Sequence, residues 1–211
     1  YKPLGVMFMP KIEKYHVIFI DNYDSFTHNL VDTFQKLGAK VSIFRNQVEL
    51  SFILNLIEKI KIPKLLVLSP GPGRPEDAGC CIRLVQALKA SLPILGVCLG
   101  HQIIGLAFGG TIAKDNAPIH GKATQVRCQS HPLFRSLPNL ISVGRYHSLY
   151  VNRLPQTLST IAIGDDKVMA MEHRAYPIYG LQFHPESVLT PTGEIILENL
   201  INNVVLRGAQ C

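Results

Sequence analysis

Apolar and polar positions follow two different rhythms along the first half of the chain. Short runs of consecutive apolar residues, such as 17–20 and 65–68, are typical of strands that are buried on both faces. Longer stretches with apolar residues three and four apart indicate amphipathic helices. Strands are predicted at 16–20, 40–44, 64–68 and 94–97, and the intervening helices at 26–37, 48–60, 76–90 and 101–108, with Ser25 as the cap of the first helix.

The pattern changes after the glycine pair at 109–110. Shorter strands are predicted at 124–128, 141–144, 158–163, 168–172 and 178–183, and a last helix at 191–206, with Pro191 in its first turn and Gly208 after it. Alternation of strands and helices predicts an α/β fold with a mostly parallel central sheet covered by helices on both faces. The later strands predict an antiparallel addition. We expect one domain over 16–208, preceded by a loose N-terminal extension over 1–15.

Composition excludes several classes of function. The net charge is +6, but the 21 Lys and Arg residues are scattered, so a nucleic-acid surface is not indicated. No apolar run reaches the roughly 20 residues of a membrane helix. The five cysteines are odd in number and form no C-x-x-C pair, so a disulfide framework or a zinc site is not indicated. We therefore expect a reducing compartment, which would be the cytoplasm or, in a photosynthetic source, a plastid stroma. The histidines have no metal-ligand spacing, so no metal is predicted in this chain.

Cys98 is the candidate nucleophile. It lies between glycines 96 and 100, after an apolar strand and before a helix, which is the layout of a nucleophile elbow with cysteine in place of serine. The start of a helix favours the reactive thiolate. Taken alone, the pattern is equally consistent with a buried structural cysteine, because free cysteine is among the most buried residue types.

Two further segments supply what a nucleophilic cysteine needs. His184 follows a strand and is followed two residues later by Glu186, so an imidazole that moves protons and a carboxylate that orients it are close in sequence. Taken alone, a histidine in this position is more simply interpreted as a structural residue. The glycine-rich turn at 69–73 follows another strand, and a free backbone N–H at Gly71, paired with that of Leu99, would form an oxyanion hole.

These motifs together resemble the class I (triad-type) glutamine amidotransferases, and within them the small glutaminase subunits of anthranilate synthase and aminodeoxychorismate synthase. The resemblance covers about 17–205 and implies a flavodoxin-like architecture. The motifs that carry it are Cys98-Leu99-Gly100-His101-Gln102, Phe183-His184-Pro185-Glu186, Ser69-Pro70-Gly71-Pro72-Gly73, Asp21-Asn22-Tyr23-Asp24-Ser25-Phe26 and Arg145-Tyr146-His147-Ser148-Leu149.

The resemblance also implies roles for individual residues. Cys98, His184 and Glu186 would be the catalytic residues, and His147, which has no carboxylate two positions on, is a poorer candidate for the base. His101 is expected to be structural. The chain would need no cofactor, and magnesium would belong to a larger chorismate-binding partner subunit. The glutamine-binding residues would be Gly71, Pro72, Gly73, Gln102, Ser148 and Leu149, and a partner contact is expected at Tyr23, Asp24 and Ser25.

Other functions stay open at this stage. The partner's product could be anthranilate, for tryptophan biosynthesis, or aminodeoxychorismate, for folate biosynthesis, or the chain could serve both. A stand-alone cysteine hydrolase of related fold is a different class of enzyme, against which the 21–26 and 145–149 segments argue. An inactive interaction module is disfavoured by the complete set of Cys98, His184 and Glu186.

Overall fold

The computed structural model describes residues 13–207, and for 116–120 only the backbone. Within this range the chain forms nine strands and five α-helices. The strands are β1 (Tyr15–Asp21), β2 (Ala39–Arg45), β3 (Lys64–Leu68), β4 (Ile94–Val97), β5 (Thr111–Cys128), β6 (Leu140–Arg153), β7 (Leu158–Gly164), β8 (Lys167–His173) and β9 (Ile178–Leu181). The helices are α1 (Thr27–Lys36), α2 (Leu50–Lys59), α3 (Cys81–Leu88), α4 (Leu99–Ala107) and α5 (Gly193–Leu200).

All nine strands belong to one sheet, in the order β2-β1-β3-β4-β9-β8-β7-β5-β6. The first five strands of this order are parallel to one another, and the remaining pairs are antiparallel. The predicted α/β fold with a parallel centre and an antiparallel addition is therefore confirmed. Parallel strands need crossover connections, and helices α1 to α4 lie in the segments that connect them.

The core lies on both faces of the parallel strands, because successive side chains of a strand point to opposite faces. In β1, Val17 and Phe19 pack with the apolar face of α1 and with α5. Ile18 and Ile20 pack on the other face with α2, α3 and α4. Burial on both faces explains why β1 and β3 appear in the sequence as continuous apolar runs.

Two predicted helices are shorter than expected. The helix predicted at 76–90 is a 3₁₀ turn at Pro75–Asp77 followed by α3, because Gly79 interrupts it in the left-handed region with φ +57°. The last helix begins at Gly193, with Pro191 outside it, because a turn in which Gly193 N–H donates to Thr190 O precedes the helix. It continues as a π-helical turn at Ile201–Val205.

The antiparallel part is more extended than predicted. β5 and β6 form a long hairpin, whereas the sequence indicated only 124–128 and 141–144. The pairing has register shifts between Lys114 and Ile119 and between His120 and Lys122, so no regular apolar alternation marks these strands. The first strand begins at Tyr15, inside the predicted extension, and residues 1–12 and Gly208 lie outside the described residues. None of the helices within 13–207 is long and apolar enough to cross a membrane.

Candidate active site

Four of the parallel strands end at one edge of the sheet, and the segments that follow them carry the predicted site residues. The carboxyl ends of parallel strands meet at the same edge, which is where such folds place their sites. The 21–26 segment follows β1, the 69–73 turn follows β3, Cys98 follows β4, and His184 comes shortly after β9. The fold therefore brings together residues that are far apart in sequence.

Cys98 occupies the turn between β4 and α4 in an unusual backbone conformation. Its φ of 53° and ψ of −101° lie outside the regions that a residue with a side chain normally adopts, which is how nucleophile elbows are strained. Its N–H donates to the carbonyl of Leu181 in β9 at 2.7 Å. The thiol therefore lies at the N-terminus of α4, and the N–H of Leu99 lies in the first turn, where it has no acceptor within the helix.

The glycines beside Cys98 are required by close packing of the backbone. A Cβ on Gly100 would lie 2.2 Å from the carbonyl oxygen of Leu68, and a Cβ on Gly96 would lie 2.3 Å from that of Gly100. No side chain fits at either position without moving β3 or α4. These glycines let the helix return directly over the strands, which places the thiol at the sheet edge.

His184 and Glu186 form a buried pair. His184 Nδ1 lies 2.7 Å from Glu186 Oε1, and their side chains are only 4% and 2% exposed. Burial alone would lower the pKa of His184, but the hydrogen-bonding contacts and negative charges of Cys98 and Glu186 outweigh it and raise that pKa well above its ordinary value. Nε2 has no hydrogen bond of normal geometry. The imidazolium form of His184 is thus favoured.

A cleft of about 160 Å³ opens in front of Cys98. It is large enough for a small-molecule side chain and is lined by backbone as well as by side chains. All six residues predicted to bind glutamine line it, together with both predicted oxyanion donors. The lining consists of Gly71, Pro72, Gly73, Cys98, Leu99, Gln102, Tyr146, His147, Ser148 and Leu149.

Gly71 is held in the wall of this cleft by Asn22. The Asn22 N–H donates to Ser69 Oγ at 2.8 Å, and its side-chain amide donates to Ser69 O at 2.9 Å, so the ends of β1 and β3 are tied together. Asn46 Nδ2 donates to Asn22 Oδ1 at 2.9 Å. A Cβ on Gly71 would lie 2.4 Å from the Asn22 carbonyl oxygen, so only glycine fits against this anchor.

The two residues that follow Gly100 point in different directions. Gln102 lines the cleft, and its Nε2 donates to Leu149 O at 2.8 Å and to Gln182 Oε1 at 3.3 Å. His101 is fully buried behind the elbow against Gly180, where a Cβ on that glycine would lie 2.7 Å from its Nδ1. Burial lowers the pKa of His101 to about 4, consistent with the structural role expected from the sequence.

His147 is fixed as a neutral imidazole. Arg145 Nε donates to its Nε2 at 3.1 Å, so Nδ1 carries the hydrogen and donates to Leu149 O at 2.9 Å. Burial, followed by the charge of Arg145, lowers the pKa of His147 to about 3. Arg145 is itself fully buried and pairs with Asp165. With both ring nitrogens engaged, His147 has no free nitrogen for proton transfer at the cleft.

The 21–26 segment lies next to His184 and Glu186, but Ser25 does not cap α1. The helix begins after Phe26 without a side-chain cap, so the predicted role of Ser25 as a cap is wrong. The turn is instead closed by Asp21 Oδ1, which accepts from Tyr23 N–H and Thr27 Oγ1, and by Asp24 Oδ2, which accepts from Phe26 N–H. Burial raises the pKa of Asp24, and the charges of His184 and Glu186 also act on it.

This segment presents aromatic surface close to the site. Tyr23 and Phe26 are 51% and 48% exposed, and Tyr23 has a strained φ of 64°. The Phe26 ring contacts that of Tyr146 with centroids 6.0 Å apart, and Tyr146 contacts His184 at 4.9 Å. A second, smaller pocket between Phe26 and Val188 reaches His184 from this side. The exposed Val188 extends the apolar surface.

Sequence reasoning assigned no role to Tyr146 or Gln182. Tyr146 lines both pockets and contacts His184, and only the fold brings these residues together. Gln182 is fully buried beside Cys98, with Nε2 3.8 Å from Sγ. Its signal in the sequence is a single polar residue at the end of an apolar strand, which predicts a buried amide with specific partners.

Comparison with known families gives one clear match. The family model described as "Glutamine amidotransferase class-I" matches residues 18–204. Anthranilate synthase component 2, pyocyanine specific, from Pseudomonas aeruginosa is 48% identical over 186 residues, which cover 88% of this chain and 92% of the relative. Anthranilate synthase component 2 from Vibrio parahaemolyticus is 43% identical over 186 residues, covering 88% and 94%.

Solved structures share the fold. A protein from Thermoplasma acidophilum described as a GMP synthase subunit superposes with a TM-score of 0.81 at 28% identity, covering 93% of this chain and 96% of that one. A glutamine amidotransferase from Thermotoga maritima superposes with a TM-score of 0.71 at 17% identity, covering 91% and 98%, which shows the common fold.

Proposed function

The chain belongs to the class-I glutamine amidotransferase family, and from that premise we propose that it is the glutaminase subunit of an anthranilate synthase. It hydrolyses glutamine and passes the ammonia to a larger chorismate-binding subunit, which makes anthranilate for tryptophan biosynthesis. The relatives at 48% and 43% identity that carry the name anthranilate synthase component 2 support this choice of pathway. The word "component" in those names supports a partner subunit.

In the first step, the Cys98 thiolate attacks the side-chain carbonyl carbon of glutamine. The carbonyl oxygen becomes an oxyanion, which the N–H groups of Leu99 and Gly71 stabilise from the cleft wall. Collapse of this intermediate breaks the carbon–nitrogen bond, and the His184 imidazolium gives its proton to the departing nitrogen. The products are ammonia and a thioester between the glutamyl group and Cys98.

In the second step, neutral His184 takes a proton from a water molecule that attacks the thioester. The intermediate collapses with loss of the Cys98 thiolate, and glutamate is released. Glu186 keeps the imidazole in one tautomer and orientation throughout, because its carboxylate accepts from Nδ1 and leaves Nε2 for the reaction. Glu186 itself does not transfer a proton.

The cleft suits an amino-acid substrate. The amide of Gln102 is oriented by Leu149 O and Gln182 Oε1, which both accept from Nε2, so Oε1 is left to accept from a donor of the substrate. Ser148 and Leu149 also line the cleft. The turn at 71–73 places backbone atoms, rather than large side chains, next to the reacting carbonyl.

Free ammonia becomes ammonium in bulk water and loses its nucleophilicity, so its path must be covered. The exposed surface beside His184 is where a covering subunit would dock. Phe26 and Val188 line the pocket beside His184, Asp24 lies close to it, and Tyr23 and Ser25 are exposed residues of the same segment. The nearness of Asp24 to His184 and Glu186 supports the choice of this segment as a partner contact.

One observation carries the catalytic part of the proposal: the buried pair of His184 Nδ1 and Glu186 Oε1, 2.7 Å apart, next to a thiol at the mouth of a cleft lined by the predicted glutamine-binding residues. The test is to mix the chain with candidate large subunits, chorismate and glutamine, and to identify the product. Anthranilate supports the proposal, and aminodeoxychorismate assigns the chain to the folate branch. Hydrolysis of γ-glutamyl peptides by the chain alone, with neither product, would make it a stand-alone hydrolase.

A further inference from the structure

Gln182 has so far been given only the role of orienting Gln102, yet its side chain is also in contact with the predicted nucleophile. It is fully buried, and burial of an amide is costly unless both its oxygen and its nitrogen find partners. Its Oε1 accepts from Gln102 Nε2 at 3.3 Å, and its Nε2 contacts Cys98 Sγ at 3.8 Å. Both partners belong to the proposed active site.

The backbone after β9 holds Gln182 and His184 in place. Gln182 N–H donates to Met169 O at 2.8 Å, and His184 N–H donates to Gly144 O at 3.1 Å. Between them, Phe183 is fully buried in the core on the α1 and α5 face of the sheet. Gln182 and His184 both contact Cys98, so this one segment supplies two neighbours of the sulfur.

The orientation of the Gln182 amide follows from its neighbours. A backbone carbonyl can only accept, so Gln102 must turn its NH₂ group toward Leu149 O. The second hydrogen of that NH₂ group then faces Gln182, which must offer its oxygen. The Gln182 NH₂ group is consequently directed at Cys98 Sγ. The sulfur is the last acceptor in this series of hydrogen bonds, which leads from Leu149 O through Gln102 and Gln182.

The far end of this series is fixed by a permanent charge. Arg145 donates from Nε to His147, and His147 donates from Nδ1 to the same Leu149 oxygen that Gln102 uses. Because a guanidinium never accepts, no member of the series can reverse its direction. The Leu149 carbonyl is thus held by two donors and in turn fixes the amides that lead to the sulfur.

We propose that Gln182 is a further catalytic residue, which donates an N–H···S hydrogen bond to Cys98, stabilises its thiolate and ties the nucleophile to the glutamine-binding residue Gln102. This inference rests on the proposed role of Cys98 as nucleophile. A hydrogen bond to an ionised acceptor is stronger than one to a neutral acceptor, so the contact favours the thiolate over the thiol. The same contact limits rotation of the sulfur away from the cleft.

Two substitutions separate the donor from the acceptor half of the amide. Gln182→Met keeps the volume but removes both halves. Gln182→Glu keeps an oxygen for Gln102 and replaces the donor by a carboxylate. The readout is the rate at which iodoacetamide alkylates Cys98 as a function of pH, measured by peptide mapping on the full-length chain, with kcat and KM for glutamine measured in the complex with the large subunit.

We expect the alkylation profile to move to higher pH in Gln182→Met and further in Gln182→Glu, where a negative charge faces the sulfur. At neutral pH, Gln182→Met should alkylate about tenfold more slowly, as expected for loss of one hydrogen bond to a charged group. In the complex, Gln182→Glu should lower kcat with little change in KM, because Gln102 keeps its partner. Gln86→Met, which makes the same replacement at an exposed position of α3, should match the wild type.

An unchanged alkylation profile in both variants overturns the inference. An equal shift of the alkylation profile in both variants also overturns it, because a purely structural role would not distinguish a neutral from a charged side chain. The proposed function is judged separately on the wild-type complex. If that complex fails to release glutamate from glutamine, the proposed function fails, while the alkylation profile still decides whether Gln182 acts on Cys98.

Discussion

His184 Nδ1 lies 2.7 Å from Glu186 Oε1, and the two residues are separated by a single proline in the sequence. Proline fixes φ, so Pro185 limits the ways in which the imidazole and the carboxylate can part. The pair is nearly inaccessible to solvent, which strengthens the attraction between an imidazolium and a carboxylate. The proposed base and its proposed orienting group therefore belong to one rigid tripeptide.

Replacing Glu186 by Gln should slow glutaminase turnover without removing it. An orienting group contributes roughly 10⁴ in rate in comparable triads, and we expect a smaller loss than for His184→Ala. Single-turnover release of glutamate measures both variants. A silent Glu186→Gln, or one as inactive as Cys98→Ser while still folded, would contradict the role given to this carboxylate.

The same variant should change the pH profile. The Glu186 carboxylate helps to raise the pKa of His184, so the imidazolium that would protonate the departing nitrogen persists to higher pH. Loss of the carboxylate lowers that pKa, and the basic limb of kcat/KM should move to lower pH. A basic limb that stays in place or moves upward would show that Glu186 does not act through the charge of His184.

Substitution of Gly71 should affect the glutaminase more than the fold. A Cβ there meets the Asn22 carbonyl oxygen at 2.4 Å, so Gly71→Ala must displace the turn that carries the proposed oxyanion donor. We expect glutamine-dependent activity to fall by about a hundredfold, as for the loss of one oxyanion donor. Gly73→Ala is the comparison, since nothing lies within 4 Å of its Cβ and only its left-handed φ of 82° opposes alanine. Equal losses in the two variants would argue against a special position of Gly71.

The exposed aromatic surface near His184 should govern association with the large subunit. Tyr23→Ala combined with Asp24→Ala should weaken binding and glutamine-dependent synthesis, while helix content by circular dichroism holds. Phe52→Ala combined with Glu58→Ala is a matched control on α2, because Phe52 is 52% exposed and Tyr23 is 51% exposed. Calorimetric titration of the large subunit measures both. Full association of the Tyr23 and Asp24 variant would remove the reason for placing the partner there.

His101 should make the protein sensitive to acid. Burial lowers its pKa to about 4 in the folded state, against 6.5 when the side chain is solvated, so the unfolded chain binds more protons between these values. The contribution of neutral His101 to the free energy of unfolding is therefore complete above about pH 6.5. It declines as pH falls toward 4, by up to roughly 3 kcal/mol. Urea unfolding at several pH values should show a shallower decline for His101→Gln than for the wild type. His28→Gln, at an exposed position of α1, should keep the wild-type slope.

Much of the fold could be predicted because the parallel half is regular. Strands buried on both faces leave continuous apolar runs, and β3 and β4 have the predicted bounds of 64–68 and 94–97. The β5 and β6 hairpin could not be predicted over its full length, because its register shifts break the alternation that marks a strand. The break before α3 depends on Gly79, where a Cβ would lie 2.1 Å from the Asn46 carbonyl oxygen, a contact between distant segments.

The candidate site also has a part that the sequence predicts and a part that depends on packing between distant segments. Motifs next to strand ends predicted that Cys98, His184 and Gly71 lie near one another, because topology alone carries such residues to one edge. Ser25 was misjudged as a cap because the sequence does not show that the Asp21 and Asp24 carboxylates already accept from that turn. The relation of Gln182 to Cys98 depends on side-chain packing across β4 and β9, which local sequence does not encode.

The most direct test of the account is the activity of Cys98→Ser in complex with the large subunit, measured with glutamine and then with ammonium salts as nitrogen source. We expect glutamine-dependent synthesis to be lost and ammonia-dependent synthesis to remain, because the proposed role of the thiol is only to release ammonia. Cys128→Ser, at a buried cysteine that does not line the cleft, should retain both activities. Glutamine hydrolysis by Cys98→Ser at a rate near that of the wild type would contradict the assignment of the nucleophile and the mechanism built on it.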